Sequence, residues 1–310
     1  MRLNTNIIAI LLATYNGEKY IEKQLESLIK QTYREWKAYI HDDGSKDKTL
    51  EIVKHYCQKY PSHFEIVEGA STGSACSNFM FLFREVEADY YMCCDQDDYW
   101  LPDKIRQTFA VMKKIQGDGS KPCLVHTDLK VADAELEIIS ESMDRYQKLH
   151  SCDSAIGHLV VQNTVTGCTM MVNRKLRDML LLPIDNRHLI MHDWWAGMIA
   201  AQFGKIKYLD IATILYRQHE NNCVGAKELN FRMMLIKLKR AEREAIRNSL
   251  HNTRMQAMEF AKVYGLKEDS LVYQYGHCGR MTKLRRWKLY INKHIRKSSV
   301  FRTVGLFFWG

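Results

Sequence analysis

Asp95-Gln96-Asp97 closes the apolar run Tyr90–Cys94. In an extended strand, residues i and i+2 face the same side. Two carboxylates placed that way can share a hard divalent cation, which prefers oxygen ligands. Such a cation can bridge a diphosphate and offset charge as a nucleotide diphosphate departs. D-x-D also arises often by chance, and an acidic loop in which Asp97 or Asp98 caps the next helix explains the same residues. Asp42-Asp43-Gly44-Ser45 has two readings as well: an Asx turn where strand meets helix, or an acceptor for the imide N–H of uracil or thymine. Tyr15 offers a ring on which that base can stack, or ordinary packing. Asp193 stands between His192 and Trp194-Trp195. Bulky aromatics desolvate a carboxylate, raise its pKa and suit it to general-base work; a hydrogen-bonded structural Asp is the plainer alternative. His219 can bind metal or phosphate oxygen, although a lone histidine is usually structural.

These residues need a scaffold that brings them together. The first ~128 residues alternate strand and helix patterns. Ile7–Ala13 is a continuous apolar run, as in a strand covered on both faces. It resembles a short signal-peptide core but leads into Thr14-Tyr15-Asn16-Gly17 rather than a small-residue cleavage site, so it reads as a buried strand. Further strands are expected at Trp36–Ile40, Phe64–Val67, Tyr90–Cys94 and Cys123–His126. Helical faces are expected through Ile21, Leu25, Leu28 and Ile29, through Leu50, Val53, Cys57 and Tyr60, over Ser77–Arg84, and after Pro102, whose missing N–H is harmless at a helix start. Such alternation predicts an α/β fold with a mostly parallel sheet, whose ligands bind beyond the carboxyl ends of the strands. The polar clusters at Thr14–Gly17, Asp42–Asp47 and Asp95–Asp98 all follow strands, so they should converge on one crevice. A hairpin is expected near Val131–Ile139. From about 229 the pattern is helical and charged, which divides the chain into a catalytic unit, 1–225, and a helical, basic extension, 226–310.

The 310 residues are 46% apolar or aromatic, enough for a full core. The nine cysteines include no C-x-x-C pair and read as reduced thiols. No apolar stretch approaches the ~18 residues of a spanning helix. The net charge of +9 is concentrated at one end. Residues 270–310 hold nine basic residues and no acid, so the rest of the chain balances its 36 acidic residues. A neutral body argues against nucleic acid as a partner. The basic tail is interleaved with Leu284, Trp287, Ile291, Phe301, Phe307, Phe308 and Trp309, so residues 280–309 suit an interfacial segment on anionic lipid. A solvated basic helix or an oligomer contact, including one with a second copy of the chain, is the alternative.

The segments LLATYNGEKYIEKQLESLIKQTY, HDDGSKDKTLEI, CCDQDDYWLPDKI, NTVTGCTMMVN, MHDWW and YRQHENNCVG, taken in this order, resemble family 2 glycosyltransferases of the GT-A fold over roughly residues 7–225. DQDDYWLP, TVTGCTMMVN, HDWW and YRQHENN look most like bacterial rhamnosyltransferases of cell-wall rhamnose polysaccharide assembly. The resemblance implies a divalent metal, Mg²⁺ or Mn²⁺, a nucleotide-diphosphate sugar donor, and a saccharide or lipid-linked saccharide acceptor at the inner face of the cell membrane. It implies that Ala13, Tyr15, Asp43, Asp95, Gln96 and Arg217 bind the nucleotide sugar. Asp97 and His219 would hold the metal and Asp193 would be the catalytic base. Gly167, Cys168, Trp194 and Trp195 would shape the acceptor side. The base position is usually preceded by an acidic residue, and here by His192. The alternatives are a UDP-hexose or UDP-N-acetylhexosamine donor, or a non-catalytic nucleotide-sugar-binding protein.

Overall fold

The computed structural model describes residues 7–219 and 240–309. The expected division at 225/226, and the end of the YRQHENNCVG segment, lie outside the described residues. The expected strands and helices of the first half form: β1 (Ile8–Thr14), α1 (Ile21–Ile29), β2 (Trp36–Asp42), α2 (Thr49–Lys59), β3 (Phe64–Ile66), α3 (Ala75–Glu85), β4 (Tyr90–Asp95) and, after a two-residue strand β5 (Tyr99–Trp100) that the pattern did not predict, α4 (Lys104–Gln116). Ile8 through Leu12 are wholly buried, because β1 lies between β2 and β4 and helices cover both faces. α1 turns Ile21, Leu25 and Leu28 inward at helical spacing. Ser74 caps α3 by accepting from the Ser77 N–H.

β3, β2, β1 and β4 pair in parallel in that order. Beyond β4 the sheet becomes mixed. β6 (Cys123–Ala132) is longer than its sequence pattern, and β8 (Met171–Asn173) is inserted antiparallel between β4 and β6. β7 (Ile138–Ser140) closes the expected hairpin on β6, and β9 (Lys205–Arg217) runs parallel to β6 and antiparallel to β5. Between these strands lie α5 (Met143–Gln147), α6 (Ile156–Leu159), α7 (Arg174–Leu180) and α8 (His192–Phe203).

The carboxyl-terminal part is helical: α9 (Arg240–Val263), α10 (Leu271–His277), α11 (Lys283–Asn292) and α12 (Val300–Trp309). It shares a core with the sheet. Phe260, Val272, Tyr275, Tyr290 and Leu306 belong to the same buried cluster as Leu11, Phe83 and Trp195. Among the described residues no helix is long and apolar enough to cross a membrane.

Candidate active site

Strand register brings the three polar clusters together. Ala13 lies opposite His41 on β2 and opposite Asp95 on β4, and Thr14 lies opposite Asp42. Ala13 is small and half-buried, so the carboxyl edge of β1 leaves room above it. The chain then turns: Asn16 takes φ 48°, a left-handed conformation that Asn tolerates. Gln96 and Tyr15 bond reciprocally, Tyr15 N–H to Gln96 Oε1 and Gln96 Nε2 to Tyr15 O, both at 2.9 Å. A Cβ at Gly17 would lie 2.2 Å from Gln96 Oε1, so glycine is needed for this clasp. Gln96 thus ties the loop after β1 to the D-x-D loop, and the Tyr15 side chain is left 54% exposed at the mouth of the cleft.

Asp42 makes the Asx turn: it accepts from the Gly44 and Ser45 N–H groups and from the Thr14 and Ser45 hydroxyls. Asp43 is buried and faces the other way. Its Oδ1 accepts from Ser71 Oγ, from Thr72 N and Oγ1, and from Gly73 N; its Oδ2 accepts from Gly73 N at 3.0 Å. Burial pushes its pKa up, but these donors outweigh it and hold the carboxylate below its usual range. Asp43 is therefore a fixed anion at the end of β2.

Three carboxylates crowd the end of β4. Asp97 Oδ2 lies 2.7 Å from His219 Nε2. The His219 ring stacks on Tyr20 at 4.7 Å, and Tyr20, which the sequence reading missed, also carries the Arg217 guanidinium 4.8 Å from its ring centre. Arg217 is fully buried. Its Nε donates to the Asp97 carbonyl at 2.7 Å, its backbone N–H to Asp98 Oδ1, and its Nη1 to the Ala134 carbonyl. It braces the D-x-D loop through these bonds. Asp95 and Asp98 both have pKa values pushed up, by burial first and then by neighbouring carboxylates: Asp97 and Asp193 for Asp95, Asp97 and Asp95 for Asp98. Buried Lys104, with Nζ 4.5 Å from the Trp100 ring, supplies part of the compensating charge, and its own pKa is pushed down to about 8 by burial.

Asp95, Asp98 and Cys168 each offer an atom within 4.8 Å of the others, and Asp98 Oδ2 is buried without a hydrogen-bond partner. Burial pushes the Cys168 thiol well up, so it stays protonated and bonds to Asp95 and Asp98 rather than acting as a thiolate. What remains is a hard donor set: carboxylate oxygens and one imidazole among mutually repelling charges. That set fits a divalent cation such as Mg²⁺ or Mn²⁺. Asp97 and His219 are the residues that would hold it, with Asp95 beside them.

Asp193 opens α8. Its Oδ1 accepts from Trp194 N at 2.5 Å and from Asn163 Nδ2 at 3.1 Å. The Asn163 amide is oriented because its Oδ1 accepts from Val165 N. The Gly167 N–H also bonds to the carboxylate, and a Cβ at Gly167 would lie 3.5 Å from Oδ2 and 3.1 Å from His192 Nε2. Burial nevertheless pushes the Asp193 pKa up to about 6, close to what a general base working near neutrality needs. His192 is buried against Phe79 and kept neutral, its pKa pushed down to about 3 by burial, so it adds no charge beside the base.

Of the four residues expected on the acceptor side, Gly167 touches the base. Trp194 is half-buried and donates to the Leu159 carbonyl at 2.5 Å. The other two need correction. Cys168 is wholly buried beneath Asp95 and Asp98. Trp195 is wholly buried, donates to Tyr264 Oη at 3.0 Å and packs on Phe260. On a helix, successive residues point about 100° apart, so Trp194 and Trp195 cannot both line one cleft. Asn163, inside the NTVTGC segment, was not singled out from sequence, because nothing local distinguishes it from a loop Asn.

An α/β sheet with carboxylates at the carboxyl edge of its parallel strands and a buried, hydrogen-bonded Asp193 near them is the arrangement with which the comparisons agree. The family model for glycosyl transferase family 2 matches residues 9–176, and the chain belongs to that family. It is 31% identical over 230 residues, 69% of this chain and 74% of the other, to the dTDP-rhamnosyl transferase RfbG of Shigella flexneri. Among solved structures, TarS 1-349 of S. aureus in complex with UDP-GlcNAc is similar with a TM-score of 0.54 at 17% identity, over 92% of this chain and 79% of that one. The mannosyltransferase PcManGT from Pyrobaculum calidifontis, in complex with GDP-Man and Mn2+, gives 0.52 at 14% identity, over 93% and 72%. These neighbours establish the GT-A fold.

Proposed function

We propose that the protein is an inverting, metal-dependent rhamnosyltransferase that moves L-rhamnose from dTDP-β-L-rhamnose onto a lipid-linked or growing bacterial cell-surface polysaccharide. The observation that carries the reading is the placement of a desolvated, oriented Asp193 across the cleft from Asp95, Asp97 and His219; the rhamnosyl donor rests on the likeness to RfbG. Tyr15, exposed at the mouth, stacks on the base, and Asp43 holds the loop at Ser71–Gly73 that borders it. Asp97 and His219 hold a divalent cation, which when bound supplies charge stabilisation for the diphosphate.

Asp193 Oδ1 accepts from two donors, so Oδ2, beside Gly167, keeps a lone pair for the proton of the acceptor hydroxyl. The acceptor oxygen forms a bond to the anomeric carbon as the bond to the diphosphate oxygen breaks. The nucleoside diphosphate leaves with the electron pair, and a β donor yields an α-L-rhamnosyl product. The enzyme works in the cytoplasm, peripheral on the inner face of the membrane through residues 280–309. There Leu284 and Ile291 on α11, and Val300, Phe301, Val304 and Phe308 on α12, are exposed among basic residues.

Calorimetry with dTDP-rhamnose, dTDP and UDP, with and without Mn²⁺, tests the donor. Metal-dependent binding that prefers the dTDP-sugar and is lost in Asp97→Ala is expected. A preference for UDP would transfer the same chemistry to a hexose or N-acetylhexosamine donor, and absence of nucleotide binding would sink the enzymatic reading.

A further inference from the structure

A cavity of about 1120 Å³ lies outside the cleft, between the segment 148–153 and helices α11 and α12. It is larger than most sites for small molecules. Trp287, Phe301, Val304 and Phe307 form apolar walls, and Lys148 and Lys297 stand among its lining. Asp153, the acid in that lining, is bonded to Arg296, whose Nη2 donates to Oδ2 at 2.9 Å. Phe301, Val304 and Phe308 remain 59%, 45% and 62% exposed. The cavity is thus apolar along its length, cationic in its lining and open along the bare face of α12.

Its wall is linked through the chain to Asp193. Gln162 Nε2 donates to Ser298 Oγ at 2.7 Å, and Ser298 N donates back to Gln162 Oε1 at 3.0 Å. Ser298 lines the cavity. The next residue after Gln162 is Asn163, which orients Asp193. The Gly157 backbone packs so tightly on this strap that a Cβ there would lie 2.9 Å from the His294 carbonyl oxygen. The cavity wall and the Asp193 carboxylate are thus bonded to two consecutive residues, Gln162 and Asn163.

We propose that this cavity binds the phosphate-bearing end of a single-chain lipid, the carrier on which the acceptor saccharide is built. The inference deepens the transferase reading and rests on it for the identity of the acceptor. Lys148 recognises the phosphate, the aromatic walls take the first hydrocarbon units, and the remainder of the chain leaves over α12 toward the bilayer. The sugar attached to the phosphate is then directed past Gln162 and Asn163 to Asp193.

The test uses the full chain and farnesyl phosphate below its micelle concentration, with farnesol and inorganic phosphate as the separate halves of the ligand. Saturable binding of farnesyl phosphate at least tenfold tighter than either half is expected. Val304→Glu, at an exposed site, should weaken it tenfold or more and Lys148→Glu several-fold, with melting temperatures and nucleotide binding unchanged. Binding no tighter than that of farnesol, or insensitive to both substitutions, overturns the proposal. So does binding to anionic vesicles without saturable binding of farnesyl phosphate, which would make the bilayer surface the occupant. Loss of lipid binding with nucleotide binding intact sinks this proposal alone; lipid binding without nucleotide binding sinks the transferase reading instead.

Discussion

Asn163→Ala should move the acidic limb of the pH profile. Burial pushes the Asp193 pKa up to about 6, against hydrogen bonds from Trp194, Gly167 and Asn163 that pull it down. Removing a hydrogen bond to a charged acceptor costs about 1.5 kcal/mol at the low end of the usual range, appropriate for a half-buried Asn. That is about one pKa unit, so the base would titrate near 7. At pH 6 the ionised fraction falls from about a half to about a tenth, roughly a fivefold loss; at pH 8 it falls by only about a tenth. The assay is nucleoside diphosphate release at subsaturating substrates from pH 5 to 9, because kcat/KM reports the free enzyme's base. A loss of the same size at every pH would refute the reasoning, since it would mean that Asn163 supports the loop without tuning the base.

Asp193→Asn should also change stability in a pH-dependent way. The folded pKa lies above the unfolded value of 3.8, so the buried carboxylate lowers stability progressively as pH rises from about 4 to above 6. The Asn variant escapes this, and thermal melts should show its advantage growing from about pH 4 to about pH 7 and level above that, at on the order of 1–2 kcal/mol once the lost acceptor bonds are discounted. Trp195→Ala should cost about 3–5 kcal/mol as a core cavity, read by denaturant titration, with donor affinity little changed in the folded fraction. Gly157→Ala should push the strap at 293–294 outward, because its Cβ would meet two backbone carbonyls at 2.9 and 3.0 Å. Hydrogen exchange should accelerate across 294–298, at a cost of about 1–3 kcal/mol.

The crevice was legible because β1, β2 and β4 are parallel and short, so a polar cluster following each apolar run fixes where the chain leaves the sheet. The register of Ala13 with Asp95 and of Thr14 with Asp42 follows from that alone. The antiparallel part was not legible. β8 is three residues long, and its neighbours β4 and β6 are joined to it by pairing rather than by proximity in sequence. Side-chain roles divided similarly. Asp97, His219 and Asp193 stood out by residue type, but a D-x-D pair and a lone histidine are ambiguous by themselves, and the proposed roles come from the resemblance. The burial of Arg217 against the D-x-D loop and of Trp195 in the core depends on β9 and on α9, whose contacts no local pattern encodes. Tyr20 and Asn163 act through partners about 200 and 30 residues away in the chain, His219 and Asp193.

The most direct measurement of the central claim is transfer from dTDP-β-L-rhamnose to a saccharide acceptor by the wild type and by Asp193→Asn, with donor affinity measured on the same samples. The account predicts a loss of roughly 10³-fold in turnover, the scale of a missing general base, with donor affinity unchanged within about twofold and an α-L-rhamnosyl product from the wild type. Near-normal turnover in the variant would contradict it, because the residue that the fold buries and orients across from the carboxylate cluster would then take no part in the reaction.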